Sequence, residues 1–92
     1  MQKILDWAAL PPPAKLCLTT AHNHHGLLKT DGGYVGRSDT SAAPARFSAV
    51  VAAFLMREGL ATAHTFDDRL VQLTDAALVL LHLGRATVEV AA

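Results

Sequence analysis

Residues 50–81 read VVAAFLMREGLATAHTFDDRLVQLTDAALVLL and carry the strongest structural signals in the chain. Apolar residues in and just before this stretch recur three and four positions apart, which predicts an amphipathic helix over residues 43–58. Gly59 stands where a residue in the left-handed conformation ends a helix, and Leu60 can fold back on the last turn. The inner face of the predicted helix consists of Phe47, Val50, Val51, Phe54 and Leu55.

A hairpin and another helix are predicted after this glycine. Residues 60–65 and 69–73 have the composition of strands, and the aspartates between them favour a turn. Thr74 is placed to cap a helix that Gly84 ends. Residues 86–90 alternate weakly in polarity, so they are predicted to form a short strand or a tail.

Two further helices are predicted at the start of the chain. Residues 2–10 place several apolar side chains on one side of a short leading helix. The three prolines that follow end this helix, because proline removes a backbone donor and clashes with the preceding turn. Since proline is tolerated in a first helical turn, a second helix is predicted to begin at Pro13 and to end near residues 23–26.

Another hairpin separates these helices from the long one. Residues 27–30 and 34–36 are predicted strands, because the glycines between them permit the positive φ angles of tight turns. The polar segment behind this hairpin is predicted to be a loop. It supplies the N-cap of the long helix from Asp39, Thr40 or Ser41.

Length and composition place these elements in one domain. The chain has 92 residues, 51% hydrophobic and 17% charged, which suffices for one compact core and excludes a large enzyme. The predicted fold is α+β, with three or four helices and one or two β-hairpins. Residues 1–12 form the leading segment, residues 13–84 the core, and residues 85–92 a tail or short strand. The inner face of the long helix is expected to be buried against Leu73, Leu78 and Leu81.

Charge and cysteine content limit the classes of function. Eight basic and eight acidic residues cancel, so any binding to nucleic acid or to an anionic membrane must be local. Cys17 is a single cysteine, and the chain starts without a signal-peptide pattern, which together predict a reducing, cytoplasmic location. The longest apolar runs are too short to cross a bilayer, so no membrane association is expected.

The order of amphipathic helix, glycine stop, hairpin and Thr-capped helix resembles the winged helix-turn-helix family, most strongly over residues 50–81. The stretch AHNHHGLLKTDGGYVGRSD, residues 21–39, is similar to small phage and bacterial winged-helix modules in which a GGYV hairpin precedes the recognition helix. The resemblance implies that the long helix is the recognition helix and the second hairpin the wing. It also implies a small DNA-binding regulator that acts without a cofactor and as a homodimer.

The same resemblance implies a set of contacts with double-stranded DNA. The recognition helix would enter the major groove, and residues of the wing would contact phosphates. A basic stripe that includes Lys29 is the charge pattern that would favour this function. The implied DNA-binding residues are Arg37, Ser41, Arg46, Ser48, Arg57, His64, Thr65 and Arg69.

The outer face of the long helix favours a different function. A base-reading helix presents several arginine, lysine, asparagine or glutamine side chains, whereas this face is small and apolar. We expect it to be covered by another chain or by the leading segment, because small residues permit close helix packing. The alternative hypothesis is a protein–protein interaction or dimerisation module on the same fold that binds no nucleic acid. The residues of this face are Ala45, Ala49, Ala52, Ala53 and Met56.

Catalytic and metal-binding patterns are weaker. His22, His24 and His25 lie near Cys17 in the sequence, but two of these histidines are adjacent and no second pair stands at a zinc-finger interval. No metal site is therefore predicted. The two adjacent aspartates of the wing are expected to point into water instead of forming an acid–base pair. Cys17 is predicted to be a small buried side chain, and the chain is not expected to be an enzyme.

Overall fold

A computed structural model describes residues 2–89 of the chain. Within that range the fold is α+β, with three α-helices and six strands in two antiparallel sheets. A short 3-10 turn, Trp7–Ala9, follows the first strand. In chain order the strands and helices are β1 (Gln2–Asp6), α1 (Pro12–Asn23), β2 (Leu27–Thr30), β3 (Gly33–Gly36), α2 (Ala49–Arg57), β4 (Ala61–Ala63), β5 (Leu70–Leu73), α3 (Asp75–Leu83) and β6 (Arg85–Glu89).

The larger sheet has the strand order β3–β2–β5–β4. It consists of two hairpins, β2–β3 and β4–β5, joined through β2 and β5, so both predicted hairpins are confirmed. The second hairpin has shorter strands than predicted, because the Leu70 N–H donates to the Asp67 carbonyl at 3.0 Å and closes a turn over residues 67–70. Since β2 and β5 are antiparallel, the turns of the two hairpins lie at the same end of the sheet.

The predicted leading helix of residues 2–10 is wrong. Its first half is β1, which pairs along its whole length with β6 to form the smaller sheet. So short a helix, followed by three prolines, has few hydrogen bonds to hold it in water. Residues 85–89 supply the backbone partners instead, and they form the short strand that was one of two alternatives for this segment. Residues 90–92 lie outside the described range.

Helix α2 is shorter than the predicted helix of residues 43–58. The segment before it is extended. In this segment Phe47 lies beside β3 and exchanges two backbone hydrogen bonds of 2.8 Å with Tyr34 of that strand. Pro44 contributes to this difference, because the residue before a proline avoids the helical conformation. The helix therefore begins after Phe47, and Phe47, the first residue of the predicted apolar stripe, pairs with the larger sheet instead.

The N-cap of α2 is Ser48, whose hydroxyl accepts the Val51 N–H at 3.3 Å. The prediction of a cap at one of residues 39–41 is wrong, because these residues lie in the loop that precedes the extended segment. The predicted exit is confirmed. Gly59 has a φ of 77°, and the Leu60 N–H donates back to the Leu55 carbonyl at 2.9 Å.

Both predicted ends of α3 are confirmed. The Thr74 hydroxyl accepts the Ala77 N–H at 3.3 Å and donates to the Gly59 carbonyl at 2.7 Å, which ties α3 to the exit of α2. Gly84 ends the helix with a φ of 79°. In the part of the chain that the structure covers, no helix combines the length and apolar composition needed to span a membrane.

The hydrophobic core lies where the helices pack on one another and on both sheets, and it includes Leu5 of β1 and Ala86 and Val88 of β6. Phe47 and Leu55 of the predicted stripe are buried, but Val51 and Phe54 are only half-buried and Val50 is 78% exposed. Val51 and Phe54 still pack against the core, so the predicted stripe is wrong only at Val50, because α2 directs Ala52 and Leu55 inward. The largest fully buried side chains are Leu18, Leu27, Leu55, Leu60, Leu80 and Cys17.

The residues predicted to bury that stripe are also more exposed than expected. Leu73 and Leu81 are half-buried, and Leu78 is 43% exposed. Ala77 and Leu80 form the inner face of α3 instead. On α2 and α3 the fully buried positions are therefore one alanine and one leucine each, instead of the larger set of apolar side chains that the sequence pattern predicts.

Candidate functional site

The residues predicted to bind DNA lie in three separate places. His64, Thr65 and Arg69 belong to the β4–β5 loop, and the guanidinium of Arg46 lies against Gly32 in the β2–β3 turn. We call this end of the sheet, formed by residues 29–32 and 64–69, the hairpin-tip end. The remaining residues lie at the two ends of α2 and beside the end of α1: Ser48, Arg57, Arg37 and Ser41.

The hairpin-tip end brings cations and carboxylates together. A cleft of about 500 Å³ between the two turns is lined by Lys29, Thr30, Asp31, Asp68 and Arg69. The Lys29 N–H donates to the Arg69 carbonyl at 2.7 Å, which fixes the two turns side by side. Basic and acidic side chains alternate around this cleft, so its charge is mixed.

The β4–β5 loop is held by its own side chains. The Asp67 carboxylate accepts the Arg69 backbone N–H at 3.1 Å and two guanidinium hydrogen bonds of 3.2 Å. These bonds from Arg69 lower the pKa of Asp67. The Phe66 N–H donates to His64 Nδ1 at 3.2 Å, and the Phe66 side chain is 92% exposed. The loop therefore presents an aromatic ring to solvent on an ordered backbone. The sequence placed Phe66 in a turn, but gave no sign that its ring is unpacked.

Helix α2 offers few groups that could read bases. Ser48 is used as its N-cap, and the Arg57 guanidinium lies 5.8 Å from the centre of the Phe54 ring. The other side chains of this helix, AVVAAFLM, have no nitrogen or oxygen to donate or accept. The base contacts implied by the family resemblance therefore rest on a single arginine at the C-terminal end of α2.

Arg37 and Ser41 lie in a loop that folds against the end of α1. The Arg37 N–H donates to the Gly26 carbonyl at 2.9 Å. The Ser41 hydroxyl and then its backbone N–H donate to the Asp39 carboxylate at 2.5 and 2.9 Å, and these bonds lower the pKa of Asp39. His24 Nε2 lies 3.9 Å from the same carboxylate. These contacts hold the loop against the end of α1. Arg37 and Ser41 therefore do not belong to the hairpin-tip end.

An apolar surface on α2 is the site that the sequence only partly predicted. A groove of about 200 Å³ between the proline turn and α2 is lined by carbon alone, from Pro11, Pro13, Ala14, Val50, Val51 and Phe54. Ala45, Ala49 and Ala53 of the predicted outer face are exposed, so the leading segment does not cover them. Ala52 is buried and Met56 half-buried, so their placement on that face is wrong. We call Pro11, Pro13, Ala49, Val50, Ala53 and Phe54 the α2 patch.

The histidines near the end of α1 have different surroundings. Within residues 2–89 no three His, Cys, Asp or Glu side chains converge in a way that could hold an ion. His24 faces Asp39, whereas His22 lines a separate groove between α1 and α3 together with His82. Cys17 is buried, and this burial raises the pKa of its thiol to about 12, so the thiol is neutral at physiological pH.

Comparison of the chain with known protein families finds no matching family model, and comparisons with curated proteins and with solved structures find no match. The two antiparallel sheets and three helices define an α+β protein within the described range. Any function must therefore be argued from the surfaces described above.

Proposed function

We propose that this protein is a protein–protein interaction module that self-associates through the α2 patch. One observation carries the proposal: Val50 is 78% exposed on a helix whose adjoining groove has no polar lining. Exposed apolar patches on soluble proteins commonly mark interaction sites. A second copy of this chain is the partner that the patch fits.

The patch contains both halves of a self-complementary contact. Val50 protrudes from the first turn of α2, and the groove between Pro13 and Phe54 lies directly beside it. Across a two-fold axis, Val50 of each copy meets the groove of the other, which is the arrangement of an isologous dimer. The chain has no net charge, so no long-range repulsion opposes the approach of two copies.

The backbone around the patch favours close packing. Ala49 and Ala53 stand one turn apart on the exposed side of α2, and small side chains let two helix axes approach to about 8 Å. Ser48 caps the start of this helix, so its first turn is ordered before any partner binds. Little conformational entropy is then lost on association.

Sedimentation of a charged variant tests this proposal. Val50→Asp is expected to abolish self-association, because a buried carboxylate without a partner is costly. Val79→Asp is the matched control, since Val79 is an exposed valine on α3 outside the patch. Circular dichroism of both variants is the check that they remain folded. A wild-type protein that stays monomeric up to millimolar concentration, or a Val50→Asp protein that associates as well as the control, overturns the proposal.

A second candidate function is binding of double-stranded DNA without a cofactor. The observation in its favour is that Lys29 and Arg69 line the cleft at the hairpin-tip end and the Arg46 guanidinium lies against Gly32 of the β2–β3 turn, since a wing binds phosphates through such cations. The order from α2 to α3 also follows the winged-helix pattern. However, a β-hairpin and a loop separate α1 from α2, whereas a helix-turn-helix unit joins its helices by a turn of about three or four residues.

Titration against mixed-sequence duplex at two salt concentrations tests this second function. DNA binding through phosphates predicts a steep loss of affinity with salt, and Arg46→Ala is expected to reduce the slope by about one. Lys15→Ala is the control, since Lys15 lies on α1, away from the cleft. Affinity that is absent at low salt, or unchanged in Arg46→Ala, contradicts DNA binding at this end.

A further inference from the structure

Strand β1 borders a cleft along the edge that β6 does not occupy. The cleft, of about 250 Å³, is lined by residues 3–6 of β1, the turn of residues 9–11, Phe54 and Glu58. Alternate side chains of a strand point to opposite faces of its sheet, so a cleft lined by consecutive residues of β1 follows the edge of this strand. None of the described residues that line the cleft belongs to β6.

The backbone of Ile4 points to this edge. The Trp7 N–H donates to the Gly84 carbonyl at 2.9 Å, which extends the register of the β1–β6 ribbon by one hydrogen-bonded pair. Hydrogen-bonded and non-bonded pairs alternate along antiparallel strands, so the N–H and carbonyl groups of residues 2 and 4 point away from β6. In the part of the chain that the structure describes, no backbone group bonds to those of Ile4, and the Ile4 side chain is 67% exposed.

Edge strands of the larger sheet are better protected than β1. Phe47 covers β3 at Tyr34, and β4 has only three residues. Soluble proteins usually shorten or cover a strand edge, because its open backbone groups pair readily with another strand. Strand β1 has five residues and an exposed isoleucine at its centre, so its edge suits the addition of a further strand.

The α2 patch by itself is too small for a stable dimer. It has six residues, whereas a specific interface uses about 20 to 30 residues from each side. Further surface must then take part in the proposed contact between two copies. Pro11 and Phe54 line both the groove on α2 and the cleft beside β1. The edge of β1 is therefore a direct continuation of the α2 patch.

We propose that the two copies of the dimer also pair β1 with β1, antiparallel, in the register that places the two Ile4 residues opposite each other. This inference rests on the proposed function and specifies how the second copy is bound. The two ribbons then form one sheet in the order β6–β1–β1–β6. A two-fold axis beside Phe54 relates both this pairing and the contact of Val50 with the groove.

The sequence of β1 suits this register. Opposed isoleucines exchange two backbone hydrogen bonds, because the N–H and carbonyl of Ile4 both point outward. Gln2 of each copy then lies opposite Asp6 of the other, so an amide donor faces a carboxylate. Lys3 lies opposite Leu5. A slip that centres the pairing on Lys3 instead places two lysines directly opposite each other, which is destabilising.

Proline at position 4 tests the pairing. Ile4→Pro removes the N–H that joins the two strands, and within residues 2–89 this N–H has no partner to lose in the monomer. The dimer is expected to bind about tenfold or more weakly, since each copy loses one hydrogen bond. Thr87→Pro is the matched control, because Thr87 lies opposite Ile4 in the ribbon and its N–H points to the outer edge of β6. Sedimentation over a range of concentrations compares both variants with wild type.

Amide hydrogen exchange tests the same contact without a substitution. In the wild-type protein the Ile4 amide is expected to exchange about tenfold or more slowly at concentrations where the dimer forms than in the dilute monomer, because a hydrogen bond then protects it. The Thr87 amide should exchange at the same rate in both. This measurement decides the question if circular dichroism shows that Ile4→Pro unfolds the protein.

The outcomes separate the strand pairing from the α2 patch. A dimer that is lost in Val50→Asp but kept in Ile4→Pro, with an unprotected Ile4 amide, overturns the strand pairing and leaves the α2 patch standing. The edge of β1 then belongs to a different chain or to solvent. A dimer that is lost in Ile4→Pro but kept in Val50→Asp and Thr87→Pro supports the pairing and overturns the α2 patch. A wild-type protein that stays monomeric up to millimolar concentration overturns both.

Discussion

Phe47 and Tyr34 exchange both of their backbone hydrogen bonds, with a nitrogen–oxygen distance of 2.8 Å in each direction. This bridge adds one residue pair to the free edge of β3 and holds the chain before α2 in an extended conformation. Ser48 follows immediately and caps α2. The position of α2, and with it the α2 patch, is therefore set from the sheet edge.

Replacement of this cap is expected to destabilise the protein measurably. Ser48→Ala removes the acceptor of the Val51 N–H and should lower the free energy of unfolding by about 1 kcal/mol. Thr40→Ala is the control, since Thr40 lies in the exposed loop and caps no helix. Urea denaturation of both variants measures the difference. Equal stabilities would show that the Ser48 hydroxyl contributes nothing to α2.

Two glycines with positive φ are expected to differ in their tolerance of alanine. Gly84→Ala should cost about 1 to 2 kcal/mol, the strain of an L-residue in the left-handed conformation, because open space surrounds its Cα. Gly33→Ala should cost more, since its φ is 122° and a Cβ there would lie 2.6 Å from the Phe47 carbonyl oxygen. Thermal and chemical denaturation give the order. A Gly33→Ala protein as stable as Gly84→Ala would contradict the close approach of Phe47 to β3.

Neighbouring apolar residues of α2 are expected to make unequal contributions to stability. Leu55 is fully buried, so Leu55→Ala should cost about 2 to 5 kcal/mol. Val50→Ala should change stability by no more than about 0.5 kcal/mol in the monomer, because Val50 is exposed. Measurements at low protein concentration, where no dimer forms, separate folding from association. A large cost for Val50→Ala under those conditions would mean that its side chain is packed within the monomer.

The buried thiol is expected to be unreactive and to make the protein less stable at high pH. Burial raises the pKa of the Cys17 thiol to about 12 in the folded protein, against 9.0 for an unperturbed cysteine. The unfolded chain therefore releases this proton first as the pH rises, so the free energy of unfolding should fall between these two values. The Cys17→Ala variant should lack this component of the pH dependence. Fast labelling of native Cys17 by iodoacetamide at neutral pH would contradict its burial.

Local signals in the sequence were sufficient for several elements. Gly59, Thr74 and Gly84 end or begin helices where their residue types predict, because capping depends on a few adjacent groups. Both hairpins were likewise predicted from their turn residues. The pairing of β1 with β6 was not, since it joins segments far apart in the sequence and neither contains a signal for the other.

Periodicity was misleading where a strand and a helix share one apolar run. Phe47 stands three and four positions before Val50 and Val51, as on a helix face, yet it belongs to the sheet. The extended conformation of Phe47 is held by hydrogen bonds to the backbone of Tyr34. The periodicity of residues 47–55 contains no information about this distant partner, so it cannot distinguish a strand from a helix at Phe47. The same shift leaves Val50 exposed, so the apolar surface proposed here as a binding site was predicted to be core.

The predicted DNA-binding residues show a related limit. Their charge and their resemblance to a family could be read from the sequence. Their positions relative to one another could not, because they belong to three different segments: the loop before α2, α2 itself and the β4–β5 loop. Lys29 and Arg69 come together only through the pairing of β2 with β5. Arg37 is carried away from them with the loop that follows β3.

The β1–β6 ribbon determines how this domain connects to any other polypeptide. Gln2 lies opposite Glu89, and residues so paired in antiparallel strands have Cα atoms about 4.5 to 5.5 Å apart. A chain therefore enters and leaves the domain through adjacent positions. That separation is similar to the distance between the two ends of a short surface loop. The whole domain can therefore be inserted into such a loop of a host protein without moving the ends of that loop apart.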